Sequence, residues 1–215
     1  MDFTADIDER AKRRLWRRVA RTFLPEDVRR HLSAWFVDLM TPRRSDRIFL
    51  VRELIPSVGR RGGKTLFVGC RKYTKRYPAL FAAQGAECWT IDIDPEAARW
   101  GAPKRHVTGD IKGANDHWPP SSFTTIVMSG VFGFGLNSLE DQNTALRVCH
   151  ALLAKDGCLI LGWNFDRCAD PSELSALRSY FRPASIAGLT GRRAFKRSKH
   201  VFEPFTVVSP PQISE

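Results

Sequence analysis

At 215 residues the chain is long enough for one well-buried core and short for two domains. Its 43% hydrophobic and 27% charged residues are those of a globular protein, and no run approaches the ~18 apolar residues a membrane span requires. A net charge of +11 favours an acidic substrate, nucleic acid or an anionic membrane surface as partner, without choosing among them. The acidic start MDFTADIDER has no apolar stretch of the kind a secretory signal carries, which points to the cytoplasm. Cys70, Cys88, Cys149, Cys158 and Cys168 form no CxxC pair and no Cys/His ligand spacing, so they read as reduced thiols and no metal site is expected.

Residues 1–60 read as a basic helical extension. Leu15, Trp16, Val19, Ala20, Phe23 and Leu24 recur at helical spacing with arginines between them, and Pro25 ends that helix. A second apolar patch follows at Leu32, Trp35, Phe36 and Leu39. Such helices either lie on a membrane surface or dock on the domain that follows, and docking as a lid is the favoured reading.

Residues 61–208 alternate strand-like and helical patterns. Strands are expected at Thr65–Val68, Cys88–Ile93, Arg105–Val107, Thr124–Met128 and Cys158–Trp163, with helices at Thr74–Ala83, Pro95–Trp100 and Leu139–Leu153. The strands are apolar on both faces, as buried parallel strands are. Their alternation with helices implies right-handed crossovers and an α/β, Rossmann-like, mostly parallel sheet covered on both faces. Gly157 suits a turn into the fifth strand. The tail reads as a helix capped by Asp170 or Ser172 and running to Phe181. Strands Ser185–Leu189 and His200–Val208 then form a closing antiparallel hairpin, joined through the basic stretch Arg192–Lys199. Residues 209–215, SPPQISE, are expected to be disordered.

In such sheets ligands bind at the carboxyl ends of the strands. After the first strand comes VGCRKYT, where Gly69 lets the backbone approach a ligand. After the second comes TIDIDPE, with a carboxylate able to accept from ribose hydroxyls, and Asp94 placed as a helix cap before Pro95. The third is followed by Gly109-Asp110-Ile111, and the fourth by the glycine-punctuated SGVFGFGLN. No G-x-G-x-x-G, P-loop, nucleophile elbow or His-x-x-x-His spacing is present.

The order of these segments resembles the class I S-adenosylmethionine-dependent methyltransferase family over roughly 64–164. LFVGC is similar to the family's first strand and glycine loop, TIDIDPEAA to its ribose-binding strand end, HVTGDI to its adenine-binding motif, and ALRVCHALLAKDGCLILGWN to its last helix, turn and fifth strand. The first loop departs from the family: Gly69 is followed by Cys70, Arg71 and Lys72 instead of further glycines. The resemblance implies S-adenosylmethionine as cofactor, Asp92 at its ribose and Asp110 at its adenine, within a set of Gly69, Arg71, Tyr73, Asp92, Ile93, Asp110, Ile111, Ser129 and Gly130. Arg71 or Lys72 either meets the cofactor's carboxylate or belongs to a solvated basic turn. His200 is the candidate base, with His117 in a loop and His150 within a helix as weaker ones. Tyr73, Phe132, Phe134 and Trp163 either grip a planar acceptor or belong to the core. The implied activity is methylation of a small molecule, sugar or lipid head group, and the net charge favours an anionic acceptor. The alternative is a methyltransferase-like fold without catalysis, serving as a basic binding module for nucleic acid, membrane or a protein.

Overall fold

Leu66, Val68, Ile126, Met128, Leu159 and Leu161 are packed on one face of the sheet, whereas their neighbours Phe67, Val127 and Ile160 are packed on the other. This alternation of two apolar faces is what a strand buried on both sides requires. The structure, a computed structural model, describes residues 45–208. The two apolar patches of the extension and the final 209–215 segment lie outside the described residues.

The central strands are β1 (Gly63–Val68), β2 (Ala86–Asp92), β3 (His106–Thr108), β4 (Phe123–Ser129) and β5 (Leu153–Asn164). They pair in parallel, in the order β3-β2-β1-β4-β5. β1 is thus the point where the strand order reverses. β5 starts earlier than the sequence suggests: Phe123 faces Leu153 but Thr125 faces Cys158, so residues 154–157 bulge out of the ladder.

The chain closes the sheet with β6 (Phe181–Pro183), β7 (Ser185–Ile186), β8 (Leu189–Thr190), β9 (Arg193–Phe195) and β10 (His200–Val207). β10 runs antiparallel to β5, and its far edge pairs with β9 at one end and β6 at the other. Pro204, which has no N–H to donate, falls between those two paired stretches. The antiparallel closing hairpin is therefore β9–β10. The expected partner strand over Ser185–Leu189 breaks instead at Ala187 and Gly188, both at positive φ, into the small separate hairpin β7–β8. Positive φ at two successive residues makes a tight turn and ends an extended run.

Helices cover both faces. On one side lie α1 (Ser45–Phe49), a π turn (Leu50–Leu54) and α2 (Ile55–Arg61), followed by α3 (Tyr77–Ala83). Phe49, Leu50, Leu54, Ile55 and Val58 bury their side chains against Phe67, Val127, Ile160 and Phe202. Pro56 lies near the start of α2 and cannot donate to the preceding turn, which accounts for the π widening just before it. On the other side lie α4 (Leu139–Leu152), capped by Ser138 Oγ accepting from the Asp141 N–H at 3.0 Å, and α5 (Ser175–Tyr180). Ala145, Leu146, Cys149 and Leu152 of α4 meet Ile126, Met128, Leu159 and Leu161.

Several expected helices are tighter than α. Pro95–Trp100 is 3-10, and the stretch expected as Thr74–Ala83 divides into a 3-10 turn at Lys72–Thr74 and α3. The tail helix likewise divides into a 3-10 turn at Pro171–Glu173, capped by Asp170, and α5. All five cysteines are free thiols. No helix among the described residues is long and apolar enough to cross a membrane.

Candidate active site

Strands β1, β2, β3 and β4 all end at one cleft of about 400 Å³, a size within the range of cofactor and small-molecule sites. Gly69, Asp92, Asp110 and Gly130 stand at those ends and line it, together with Arg71, Tyr73, Ile93, Ile111, Ser129 and His200. These residues are therefore brought to one place, beside the strand-order reversal at β1.

Gly69 holds φ at +89°, its N–H donating to Ile91 O at 2.9 Å. A Cβ there would stand 3.2 Å from Val131 Cγ1. Gly69→Ala is expected to cost about 1–2 kcal/mol from the left-handed backbone alone. Chemical denaturation measures it, and an unchanged midpoint contradicts this account of the loop.

Asp92 is the most heavily bonded carboxylate of the cleft. Its Oδ2 accepts from Cys70 N at 2.6 Å and from Arg71 Nη1 at 3.0 Å, and its Oδ1 accepts from Asp94 N at 2.9 Å. Its side chain is 3% exposed, whereas that of Arg71 is 49% exposed. Arg71 also donates to Cys70 O, which folds the guanidinium back over the loop. The basic loop is thus tied to Asp92 and is not simply a solvated turn. Burial, and then the Asp92 charge, push the Cys70 thiol up to about 11, so it is not a nucleophile. Asp94 caps the following 3-10 turn through Glu96 N, as expected. Asp110 caps the next one through Lys112 N, and Lys112 bridges it to Asp141.

His200, the candidate base, also lines the cleft, held by partners the sequence did not single out. There Asn164 Nδ2 donates to Ser198 O at 3.2 Å, which turns its Oδ1 toward His200 Nδ1 at 3.1 Å. The network therefore assigns the proton to His200 Nδ1 and leaves Nε2 as a lone-pair acceptor. Gly162, beneath, gives the ring its room: a Cβ there would meet His200 Nε2 at 2.9 Å. Burial pushes the His200 imidazole down to about 4, against the opposing pull of Asp46. Asp46, Arg47 and Leu50 reach the cleft from the helix ahead of β1, and Arg47 stacks on Tyr73 with 3.7 Å to the ring centroid.

The remaining candidates lie elsewhere. His150 contacts Tyr180 and Val208 O, and His117 packs edge-on against Trp118. Phe132 and Trp163 are core residues, while Phe134 and Tyr73 line the cleft. The charged side chains of the cleft are Asp46, Asp92 and Asp110 against Arg47 and Arg71, so the chain's positive charge is not concentrated there. No cluster of metal-ligating side chains occurs among the described residues.

No protein-family model matches the sequence, and no curated protein matches it. Solved structures do match. A TehB-like SAM-dependent methyltransferase from Corynebacterium glutamicum is 22% identical, with 95% of this chain and 99% of that one covered at a TM-score of 0.53. The N-methyltransferase NodS from Bradyrhizobium japonicum, in complex with S-adenosylhomocysteine, is 17% identical over 81% of this chain and 92% of its own, with a TM-score of 0.60. The 1,6-didemethyltoxoflavin-N1-methyltransferase of Burkholderia thailandensis, with that compound and S-adenosylhomocysteine bound, is 16% identical over 86% and 91%, with a TM-score of 0.54. With the order β3-β2-β1-β4-β5-β10-β6 and a single antiparallel strand next to the edge, the chain has the Rossmann-like fold of the SAM-dependent methyltransferases.

Proposed function

We propose that the protein is an S-adenosylmethionine-dependent methyltransferase acting on a small molecule. The observation that carries this reading is the convergence of Gly69, Asp92 and Asp110, from three successive strand ends, on one cleft. The fit to the cofactor is supported by Gly69, whose missing Cβ leaves room beside Val131, and by two carboxylates that match a nucleoside's hydroxyl and amino donors. NodS and the Burkholderia thailandensis enzyme were both crystallised with S-adenosylhomocysteine, the second also with 1,6-didemethyltoxoflavin.

The cofactor supplies a methyl group activated on a sulfonium. Asp92 would take its ribose hydroxyls, which donate as the half-exposed Arg71 guanidinium does now, so Arg71 is released toward the cofactor's carboxylate. Gly69, Ile93, Ile111, Ser129 and Gly130 shape the walls, and Asp110 would accept from the adenine amino group. Displacement at a methyl carbon needs mainly alignment and exclusion of water, worth ~7–11 kcal/mol in good cases. His200 Nε2 stands as the proton acceptor. Residues 61–208 serve as the catalytic domain, with the helical stretch 45–60 packed on its sheet. Asp46, Arg47 and Leu50, within that stretch, line the cleft.

The binding-module alternative has less support. Within Arg192–Lys199, Arg192 pairs with Asp170 and Glu203, Arg193 with Glu53 and Lys199 with Asp166. Thermal melting separates the readings. S-adenosylhomocysteine at a hundred times its Kd should stabilise the fold by about 2.7 kcal/mol. Stabilisation by oligonucleotide or anionic vesicles alone, lost steeply with salt, contradicts the enzyme reading.

A further inference from the structure

A carboxylate offers about four lone-pair positions, and on Asp92 three of them are taken. Two of the donors belong to the backbone and are fixed by the fold: Cys70 N at 2.6 Å and Asp94 N at 2.9 Å. The third, Arg71 Nη1 at 3.0 Å, is a side chain. A ribose diol brings two hydroxyl donors, so a nucleoside meets one open position on Asp92. The second opens only when Arg71 withdraws.

Arg71 is held so that its side chain alone can move. Its backbone is pinned by Thr74, whose hydroxyl accepts from Arg71 N at 3.0 Å and donates to Arg71 O at 2.9 Å. The guanidinium is 49% exposed and bonds through Nη1 alone, to Asp92 and to Cys70 O at 2.7 Å. Its Nε–Nη2 edge, suited to a carboxylate through two parallel bonds, has no partner among the described residues. Arg71 and Asp92 both line the cleft, so the exchange takes place in the site itself.

We propose that Arg71 is a selectivity gate, closing the second ribose position on Asp92 and yielding it to nucleosides that bring a carboxylate of their own. The inference rests on the methyltransferase reading above and deepens it by naming what decides which nucleosides the cleft admits. S-adenosylmethionine and S-adenosylhomocysteine carry a carboxylate that replaces Asp92 as partner of the guanidinium. Methylthioadenosine has the same ribose, adenine and thioether without that carboxylate. It strips Arg71 from a buried acid and leaves the guanidinium to water. A ligand's apparent affinity falls with the fraction of molecules in which its site is open. The closed gate therefore weakens the carboxylate-free nucleoside, while for the other the new ion pair offsets the old one.

Calorimetric titration of the full chain with methylthioadenosine and with S-adenosylhomocysteine, for wild type and Arg71→Met, tests the gate. Met is an unbranched side chain with neither charge nor N–H, and Asp92 keeps both backbone donors, so the loop stays formed. Methylthioadenosine should bind Arg71→Met about fivefold tighter than wild type, the scale of one net hydrogen bond. S-adenosylhomocysteine should change less, because the opened gate offsets the lost partner of its carboxylate. Its preference over methylthioadenosine should therefore fall about fivefold. Contacts of the rest of its tail are common to both proteins and cancel in that ratio. Arg71→Lys keeps the charge on a single ammonium and should lie between the two. Methylthioadenosine binding that is unchanged or weaker in Arg71→Met, with S-adenosylhomocysteine still bound by the wild type, overturns the gate and leaves the methyltransferase reading standing. Binding of neither compound by either protein overturns both.

Discussion

Asp92→Ala is expected to weaken S-adenosylhomocysteine binding by about 1.5–3 kcal/mol, the scale of a lost hydrogen bond to a charged group. The effect arises in two ways. The ribose loses its acceptor, and the loop loses its organiser, since Asp92 receives Cys70 N, Arg71 Nη1 and Asp94 N. The second contribution is separable from the first. Asp92→Asn keeps an oxygen acceptor but drops the charge that holds Arg71, so it should fall between the wild type and Asp92→Ala. Calorimetry on folded variants measures both. Unchanged affinity in a folded Asp92→Ala protein removes Asp92 from the site.

A second large effect is expected from acid. The folded His200 imidazole titrates at about 4, against an ordinary value of 6.5 in the unfolded chain, chiefly because burial disfavours its charged form. Between those two values the unfolded chain binds a proton that the folded one does not. The contribution of neutral His200 is therefore complete above pH ~6.5 and is lost as the pH falls toward 4, by about 3 kcal/mol over the window. Asp46 opposes the shift and Arg47 reinforces it, so both belong to the same titration. Urea denaturation at pH 7 and pH 4.5, for wild type and His200→Gln, isolates the effect because other acidic groups titrate alike in both. An identical loss in the two proteins contradicts the assignment.

Much of the architecture was legible because it depends on local chemistry. β-branched and apolar runs such as Thr65–Val68 and Thr124–Met128 are strands wherever they are buried on both faces, and β1 and β4 contain them. Asp94 and Asp170 announce caps, and the structure places both there. The strand-end residues that line the cleft were legible for the same reason: Gly69, Asp92, Asp110 and Gly130 stand at or just beyond strand ends. What escaped depends on distant partners. β6 and β9 are three residues each, and only the exposed edge of β10 makes them strands. Ser185–Leu189 has strand composition but turns at Ala187 and Gly188.

The surroundings of His200 were hidden in a different way. His200 stood out as a titratable residue opening a strand. Its meaning comes from Asn164, 36 residues earlier, and from Asp46 on the helix ahead of β1. No short-range pattern joins those three. Arg71 illustrates the same limit: the sequence shows a basic residue in a loop where glycine is expected, and only the fold places its guanidinium on Asp92.

The most direct test is calorimetric titration of the full chain with S-adenosylmethionine and S-adenosylhomocysteine at neutral pH. Saturable one-to-one binding in the micromolar range is the expected result, with Arg71 yielding Asp92 to the ligand. A folded protein that takes up neither compound at millimolar concentration would contradict the assignment of this cleft.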